Sequence, residues 1–360
     1  MKYYDLCIIG GGASGLAAAS SLDDSIKTCV LEKNDIPGRK LMATGGGRCN
    51  ITNEACRNKE MTLEFFDSMG LALYHDDEGR YYPYSNQASD VVKMLERSVR
   101  GKAQTDIVTG YCVCAVDAVK GGFRVTDGRE TFVSEKLLIA SGGKASPAFG
   151  TTGDGYRIAK SFGHTVNRLY PILTGISCGD FSDIKGVRAR GKAELYRDGR
   201  LIKSETGEIQ FTADGVSGIC IFNLTRYITG RPGEPVSEAL KRYELILDMA
   251  PDFDEETVSR REDSFGILSE KLSARVPVSR MKSWKLPVLG VKGWKNAQCT
   301  GGGIALDELD MGTMESKLVQ GLYFAGEIID MHGPCGGFNL QYAWETGIKA
   351  AKAINEVYTG

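Results

Sequence analysis

The run DLCIIGGGASGLAAASSL, residues 5–22, constrains the fold of this chain more than any other stretch. Tyr4 to Ile9 is short and apolar, as in a buried strand, and Leu16 to Leu22 is alanine-rich and helical. Between them stand Gly10, Gly12 and Gly15 in GxGxxG spacing. A strand that feeds glycines and then a helix is the opening of a dinucleotide-binding βαβ unit. Gly10 permits the tight turn, Gly12 lets backbone amides approach a diphosphate, and Gly15 lets the helix pack on the strand, with the helix start favouring the anion. A second strand, Thr28 to Leu31, ends at Glu32, 22 positions after Gly10, where such a unit needs an acceptor for ribose hydroxyls. Ala13 and Ser14 in the turn, and Lys33 beside the carboxylate, are further candidate contacts. Cys7, inside the first strand, reads as a small buried hydrophobe.

A second glycine-laden stretch, GLYFAGEIIDMHGPCGGFNLQYAWETG, occupies residues 321–347. Its strand, Leu322 to Ala325, halts at Gly326 and Glu327, and GPCGGFNLQ then feeds a helix expected from about Leu340 to Tyr358. A carboxylate at a strand end can accept from ribitol hydroxyls. Free amides across Gly337, Phe338, Asn339 and Leu340 can stabilise negative charge on an electron-rich ring carbonyl. NAD needs only the first site, whereas FAD needs both. The segment KLLIASGG, residues 136–143, is an apolar strand ending in small residues and adds Ser141 and Gly142.

Three segments then carry a resemblance: LEKNDIPGRKLMATGGGRCNITN (31–53), SGGKASPAFGTTGDGYRIAKSFGH (141–164) and TMESKLVQGLYFAGEIIDMHGPCGGFNLQYAWETG (313–347). Together they resemble the BaiN-like family of NAD(P)/FAD-dependent oxidoreductases, within the glutathione-reductase-type flavoproteins. The resemblance implies an α/β fold: a Rossmann-like FAD-binding domain, discontinuous over 1–165 and 298–360, with an inserted β-rich and partly helical substrate domain over 166–297. That insertion would be β-barrel-like with short cap helices. Arg39, Lys40, Gly46, Gly47, Arg48, Cys49 and Asn50 fall in the family's glycine-rich loop and are expected at the cofactor, as is Val113. Members of the family commonly have a longer chain. This one looks shortened around 250–295, in the part expected to roof the flavin and select the substrate.

Within the middle, alternating segments from Arg188 to Phe211 separated by glycine turns predict an antiparallel sheet or barrel. Pro235 to Met249 includes ALKRYELILDM, strand or helix by pattern with strand favoured, and Asp254 to Ala274 is expected as helix. The length, 360 residues, exceeds the usual domain of about 100–200 and suits two lobes. Lys plus Arg number 44 against 46 Asp plus Glu, a net charge of −2 that gives no electrostatic excess for neutralising a nucleic-acid backbone. No nucleic-acid partner is expected. Nor does any window reach the roughly 18 apolar residues of a membrane span, and the N-terminus lacks a signal-peptide pattern, so a cytoplasmic location is expected. The ten cysteines are scattered, so reduced thiols are expected. With three histidines and no zinc-ligand spacing, no metal site is expected.

Reduced flavin supplies hydride, so the protein need only hold the acceptor, stabilise developing charge and move a proton. HDDEGRYYPYSNQASDVV, residues 75–92, resembles the family's FPxS segment and offers Tyr82 as a proton donor or carbonyl-polarising group. A packing role is the alternative. His332, whose imidazole titrates near neutral pH, is the second catalytic candidate. Cys49, Cys299 and Cys335 raise a redox-thiol alternative. Arg48 can hold a phosphate or a substrate carboxylate, and its glycine context favours the cofactor. The expected activity is FAD-dependent reduction of a carbonyl-conjugated double bond in a small molecule, steroid or bile-acid-like by the resemblance. With a single GxGxxG, NAD(P)H would bind only transiently as donor. The alternatives are an oxidase of a small amine or amino ketone using oxygen, and a flavin-binding sensor without turnover.

Overall fold

The computed structural model describes residues 1–230 and 234–359, which divide into two compact units, Met1–Leu169 with Thr300–Gly360, and Tyr170–Cys299. In the first unit, strand β1 (Lys2–Ile9), helix α1 (Ala13–Ser21) and strand β2 (Thr28–Leu31) form the expected opening. After them come helix α2 (Arg39–Met42), strand β3 (Thr52–Asn53), helix α3 (Lys59–Ser68), strands β4 (Leu73–His75) and β5 (Arg80–Pro83), and helix α4 (Ala88–Arg100). Strands β6 (Thr105–Val108), β7 (Ala115–Val119), β8 (Gly122–Thr126) and β9 (Thr131–Ile139) precede helix α5 (Asp154–Ser161).

The main sheet has seven strands in the order β6-β2-β1-β9-β8-β7, with the strand Leu322–Phe324 also pairing β9. β6, β2, β1, β9 and Leu322–Phe324 are parallel neighbours. One edge of β9 serves two strands: Thr131–Ser134 pairs antiparallel with β8, and Leu137–Ile139 pairs with Leu322–Phe324. Leu6, Cys7, Ile8 and Ile9 are all buried, because a parallel strand covered on both faces has no polar side to alternate with. Strand order reverses between β1 and β9, and ligands of open α/β sheets bind where that happens, beyond the carboxyl ends of the strands.

The C-terminal helix, Phe338–Thr359, lies against α1. It approaches closely because the facing residues are small: a Cβ on Gly347 would fall 2.3 Å from the Ser14 carbonyl oxygen. Trp344 anchors the same helix, its indole N–H donating to the Ile51 carbonyl at 3.0 Å and its ring edge-on to Phe66 with centroids 5.1 Å apart. Burial of such an aromatic side chain contributes about 1.5–3 kcal/mol. A three-stranded ribbon, β3-β5-β4, completes the unit.

The second unit is built on an antiparallel sheet. Its long hairpin joins Arg188–Arg197 to Arg200–Thr212 through Asp198 and Gly199, both at positive φ (52° and 75°), as a two-residue primed turn requires. Phe181, Phe211 and Trp284 pack together in its core. Two expectations are corrected here. Within Pro235–Met249 only Tyr243–Asp248 is strand, because Pro235 starts a helical turn, Val236–Leu240. Asp254–Ala274 is two short helices, Glu255–Ser259 and Glu270–Ser273, since the intervening REDSFG has no apolar helical face and Gly266 takes φ +90°. No helix of the described residues is long and apolar enough to cross a membrane.

Candidate active site

The first glycine turn is held by contacts that only glycine allows. At Gly10 (φ +107°) a Cβ would lie 2.5 Å from the Ala140 carbonyl oxygen, so the ends of β1 and β9 meet there. A Cβ on Gly15 would fall 1.9 Å from the Gly10 carbonyl oxygen, the close approach of helix to turn. Gly12 differs: a Cβ there meets nothing within 4 Å. It is the N-cap of α1, has no side-chain capping bond, and the first turn of the helix holds no acidic residue. The leading amides of α1, with Ala13 and Ser14 among them, donate to no backbone carbonyl outside the helix, beside the open space at Gly12 and with the positive end of a helix dipole behind them.

Glu32 sits at the end of β2, 7% exposed. Its Oε2 accepts from Gly11 N–H at 2.9 Å, and its Oε1 from the Asn34 backbone N–H at 2.8 Å and side-chain amide at 2.7 Å. The carboxylate thus braces the glycine turn, and with about four acceptor sites on two oxygens it keeps one for another donor. Lys33 turns to the start of α5, bonding Asp154 at 2.6 Å and Thr152 at 2.8 Å. Arg39 is exposed and reaches Asn34 at 3.1 Å. Val113 is buried close by, in the segment tied to this strand end by Tyr111 N–H donating to the Glu32 carbonyl at 3.0 Å.

The two glycine-laden stretches meet. Ser14 Oγ donates to the Ala325 carbonyl at 3.3 Å, 311 positions away, and a Cβ on Gly326 (φ +80°) would fall 2.4 Å from that same hydroxyl. Glu327 accepts from Lys40 Nζ at 2.6 Å and from Thr300 N–H at 2.8 Å, and packs against Gly143. Thr300 was not anticipated from the sequence: its hydroxyl accepts from the backbone N–H groups of Lys144 and Ala145 at 2.8 and 3.0 Å. The TGGG run at 300–303 was the signal available for it. At the end of β9, Gly142 takes φ +72°, and the Ser141 hydroxyl is buried without a hydrogen-bond partner.

Behind α2, residues Thr44–Gly47 form a tight turn in which Gly45 and Gly46 take left-handed angles and Gly46 and Gly47 border open space. Cys49 is fully buried, and burial pushes its thiol up to about 12, so it stays protonated and unsuited to the redox role considered above. Asn50, with its amide oriented to suit its neighbours, donates to the Thr52 carbonyl at 3.0 Å and accepts from Gly337 N–H at 3.1 Å. Gly337 lies so near Thr52 that a Cβ would approach its backbone to 2.5 Å. The start of the C-terminal helix is thereby brought to the glycine loop. There Asn339 clamps the preceding loop, accepting from Gly333 N–H at 2.9 Å and donating to the Gly333 and Pro334 carbonyls. Phe338 packs on Gly333 beside the half-buried His332, and Leu340 follows in the first turn.

Tyr82, on β5, is 2% exposed, and its hydroxyl makes no hydrogen bond among the described residues. Its ring edge touches the turn at Gly45, and the Arg48 guanidinium lies over its face, 4.5 Å from the centroid. Burial pushes the phenol above its ordinary value against the opposing pull of Arg80 and Arg48, which keeps it a proton donor at neutral pH.

The family model described as the HI0933-like protein Rossmann domain matches residues 56–353. The chain is 34% identical over 410 positions to a 3-dehydro-bile acid delta(4,6)-reductase of Clostridium scindens, covering 97% of this chain and 98% of that protein. It is 26% identical over 417 positions to a ribosomal RNA dihydrouridine synthase of Escherichia coli, covering 98% of each. Among solved structures, the Mycobacterium smegmatis Sdh1 complex matches with a TM-score of 0.53 at 16% identity, over 100% of this chain and 69% of that one. The E. coli quinol fumarate reductase FrdA matches with a TM-score of 0.51 at 15% identity, over 100% and 72%. These two likenesses are of fold. The first alignment, at 410 positions, is longer than the 360 residues here, so that relative carries stretches with no counterpart in this chain.

Proposed function

Because the chain belongs to the HI0933-like Rossmann-domain family and is an FAD-dependent oxidoreductase, we propose that it reduces a carbonyl-conjugated carbon–carbon double bond in a small organic molecule, with NAD(P)H as electron donor. The observation that carries this reading is the meeting of the two glycine stretches at Ser14 and Gly326, with Tyr82 and Arg48 placed at the third glycine turn.

The residues fit the cofactor on structural grounds: an uncapped helix start over open space at Gly12, a spare acceptor site on Glu32 and a buried unpartnered hydroxyl on Ser141. Gly10 to Gly15 would hold the diphosphate and Glu32 the adenosine ribose. Gly326 would lie along the ribityl chain, and Glu327 would fix the Lys40 ammonium beside it. The turn at Gly45–Asn50 and the amides from Gly337 to Leu340 would border the ring. When bound, the flavin supplies the electron pair. The protein's part is to orient the acceptor and to deliver a proton from the Tyr82 hydroxyl, which is protonated at neutral pH and has no competing acceptor.

The relatives' names support the reaction type. A 3-dehydro-bile acid with delta(4,6) unsaturation has double bonds conjugated to its ketone, and dihydrouridine differs from uridine by saturation of a double bond conjugated to a ring carbonyl. Both are reductions of the same electronic unit. The charge balance of −2 and the higher identity to the bile-acid enzyme favour a small acceptor over RNA. Anaerobic stopped-flow mixing tests this. Flavin absorbance should bleach with NADH or NADPH and return on mixing with a steroid enone. Bleaching that returns only with uridine-containing RNA would replace the small substrate, and return only with oxygen would make the protein an oxidase.

A further inference from the structure

Reduction of an enone puts charge on its carbonyl oxygen, and the turn at Thr44–Gly47 is built to receive such charge. Gly45 and Gly46 take φ of +56° and +66°, and neither N–H donates to a backbone carbonyl outside its own turn. Glycine at both positions leaves no side chain over these amides, and Gly46 and Gly47 border open space. Arg48 follows directly. Its contacts are a long bond to the Gly45 carbonyl at 3.4 Å and the Tyr82 ring, and no carboxylate pairs with it among the described residues. Arg80, on the neighbouring ribbon, is committed to Asp76 and Glu78 at 2.8 and 2.9 Å, and Lys59, at the start of α3, to Glu54. The Arg48 guanidinium, with no carboxylate partner among the described residues, offers a planar fork of donors that suits an anionic oxygen.

Resting on the reduction proposed above, we propose that Arg48 and the N–H groups of Gly45 and Gly46 form an oxyanion pocket that holds the substrate's carbonyl oxygen as it becomes an enolate. The reductant is dihydroflavin, which is oxidised in the step. As the β-carbon gains hydrogen and an electron pair, the carbon–carbon π bond breaks and its electrons move onto the carbonyl oxygen. Arg48 meets that charge with donors in a rigid fork that cannot lose its proton, and the Tyr82 face holds the fork in place. The enolate then re-forms C=O as its α-carbon takes the Tyr82 proton, and water reprotonates the phenolate. Arg48 is thereby a catalytic residue, where the sequence had suggested a cofactor contact.

The test uses holoenzyme and its Arg48→Gln and Arg48→Lys variants with two readouts. Para-substituted phenols imitate the enolate oxygen and present no enone to reduce, so calorimetric titration reads the pocket alone. Wild type should bind the more acidic phenols more tightly, and Arg48→Gln should lose that dependence, with Arg48→Lys retaining part of it. With an enone substrate, Arg48→Gln should lower kcat by about 10²–10³ while KM changes little. Unchanged phenol binding and kcat in Arg48→Gln overturn the pocket. So does weakened FAD affinity in that variant, which would return Arg48 to the cofactor. If wild type reduces no enone but binds phenols in an Arg48-dependent way, the reaction assigned above fails and the pocket stands.

Discussion

Gly12 and Gly15 share one turn but meet different surroundings, so alanine at each separates the cofactor's space from the protein's own packing. At Gly12 the backbone is extended (φ −85°, ψ −167°), which alanine adopts freely, and the added methyl touches nothing within 4 Å. In apoprotein Gly12→Ala should therefore cost no more than about 1 kcal/mol, the difference between glycine and alanine at a helix N-cap. The same methyl enters the space above the α1 amides that the diphosphate would fill. FAD affinity should then fall at least about tenfold, or about 1.4 kcal/mol. With FAD in excess that difference reappears as lost ligand stabilisation, roughly 3–6 °C in Tm for a unit of this size. At Gly15 the methyl would lie 1.9 Å from a backbone oxygen, so β1 and α1 must separate. Gly15→Ala should cost about 1–3 kcal/mol with or without cofactor. Urea melts of the apoproteins, flavin-fluorescence titrations and thermal melts in excess FAD measure all three quantities. A Gly12→Ala protein that binds FAD as wild type does, or an apoprotein as destabilised as Gly15→Ala, would refute the placement of the diphosphate.

Glu32→Gln places an amide NH2 against groups that already donate to the carboxylate, costing about 1–3 kcal/mol, and should raise the Kd for FAD about tenfold or more. Full cofactor retention on purification, with unaltered affinity, would count against the assignment. Tyr82→Phe keeps the ring beneath Arg48 but removes the proton, so kcat for enone reduction should fall about 10²–10⁴ while the flavin spectrum is kept; an unchanged kcat removes Tyr82 from the mechanism. His164 is buried, bonded to Glu308 at 3.0 Å and Ser316 at 2.8 Å, and burial lowers its pKa despite Glu308. The unfolded state therefore takes a proton first, so stability should drop as pH falls from about 6.5 towards the lower folded value. Denaturant midpoints between pH 8 and 5, compared with His164→Gln, read this effect as a steeper decline in wild type. An equal or shallower decline would contradict it.

How far the site was legible follows from what each residue answers to. Gly10, Gly12, Gly15 and Glu32 were readable because a strand, a turn and a helix of fixed geometry place chemical demands at fixed offsets, and those demands are met locally. Tyr81, Tyr82 and Tyr84 carry the same signal in RYYPYS, yet Tyr82 is 2% and Tyr84 75% exposed. That choice is made by the pairing of β5 with β3 and β4, through Thr52↔Tyr81 and Tyr74↔Tyr82, which no spacing in the sequence announces. His164, Glu308 and Ser316 resemble the order of a hydrolytic triad. However, Ser316 Oγ already accepts from the N–H groups of Leu318 and Val319 at 3.0 and 2.9 Å, so the cluster is a buried brace. Glu327 shows the same limit at the site itself. Position at a strand end suggests an acceptor for ribitol, and the structure adds what position could not announce: its oxygens accept from Lys40 and Thr300, two of about four acceptor sites. Fixing a cation is a role distinct from accepting a hydroxyl, and removal of the carboxylate should disturb Lys40 as well as any hydroxyl of the cofactor it holds. The distinction depends on groups 287 and 27 positions away, and only the folded chain assembles it.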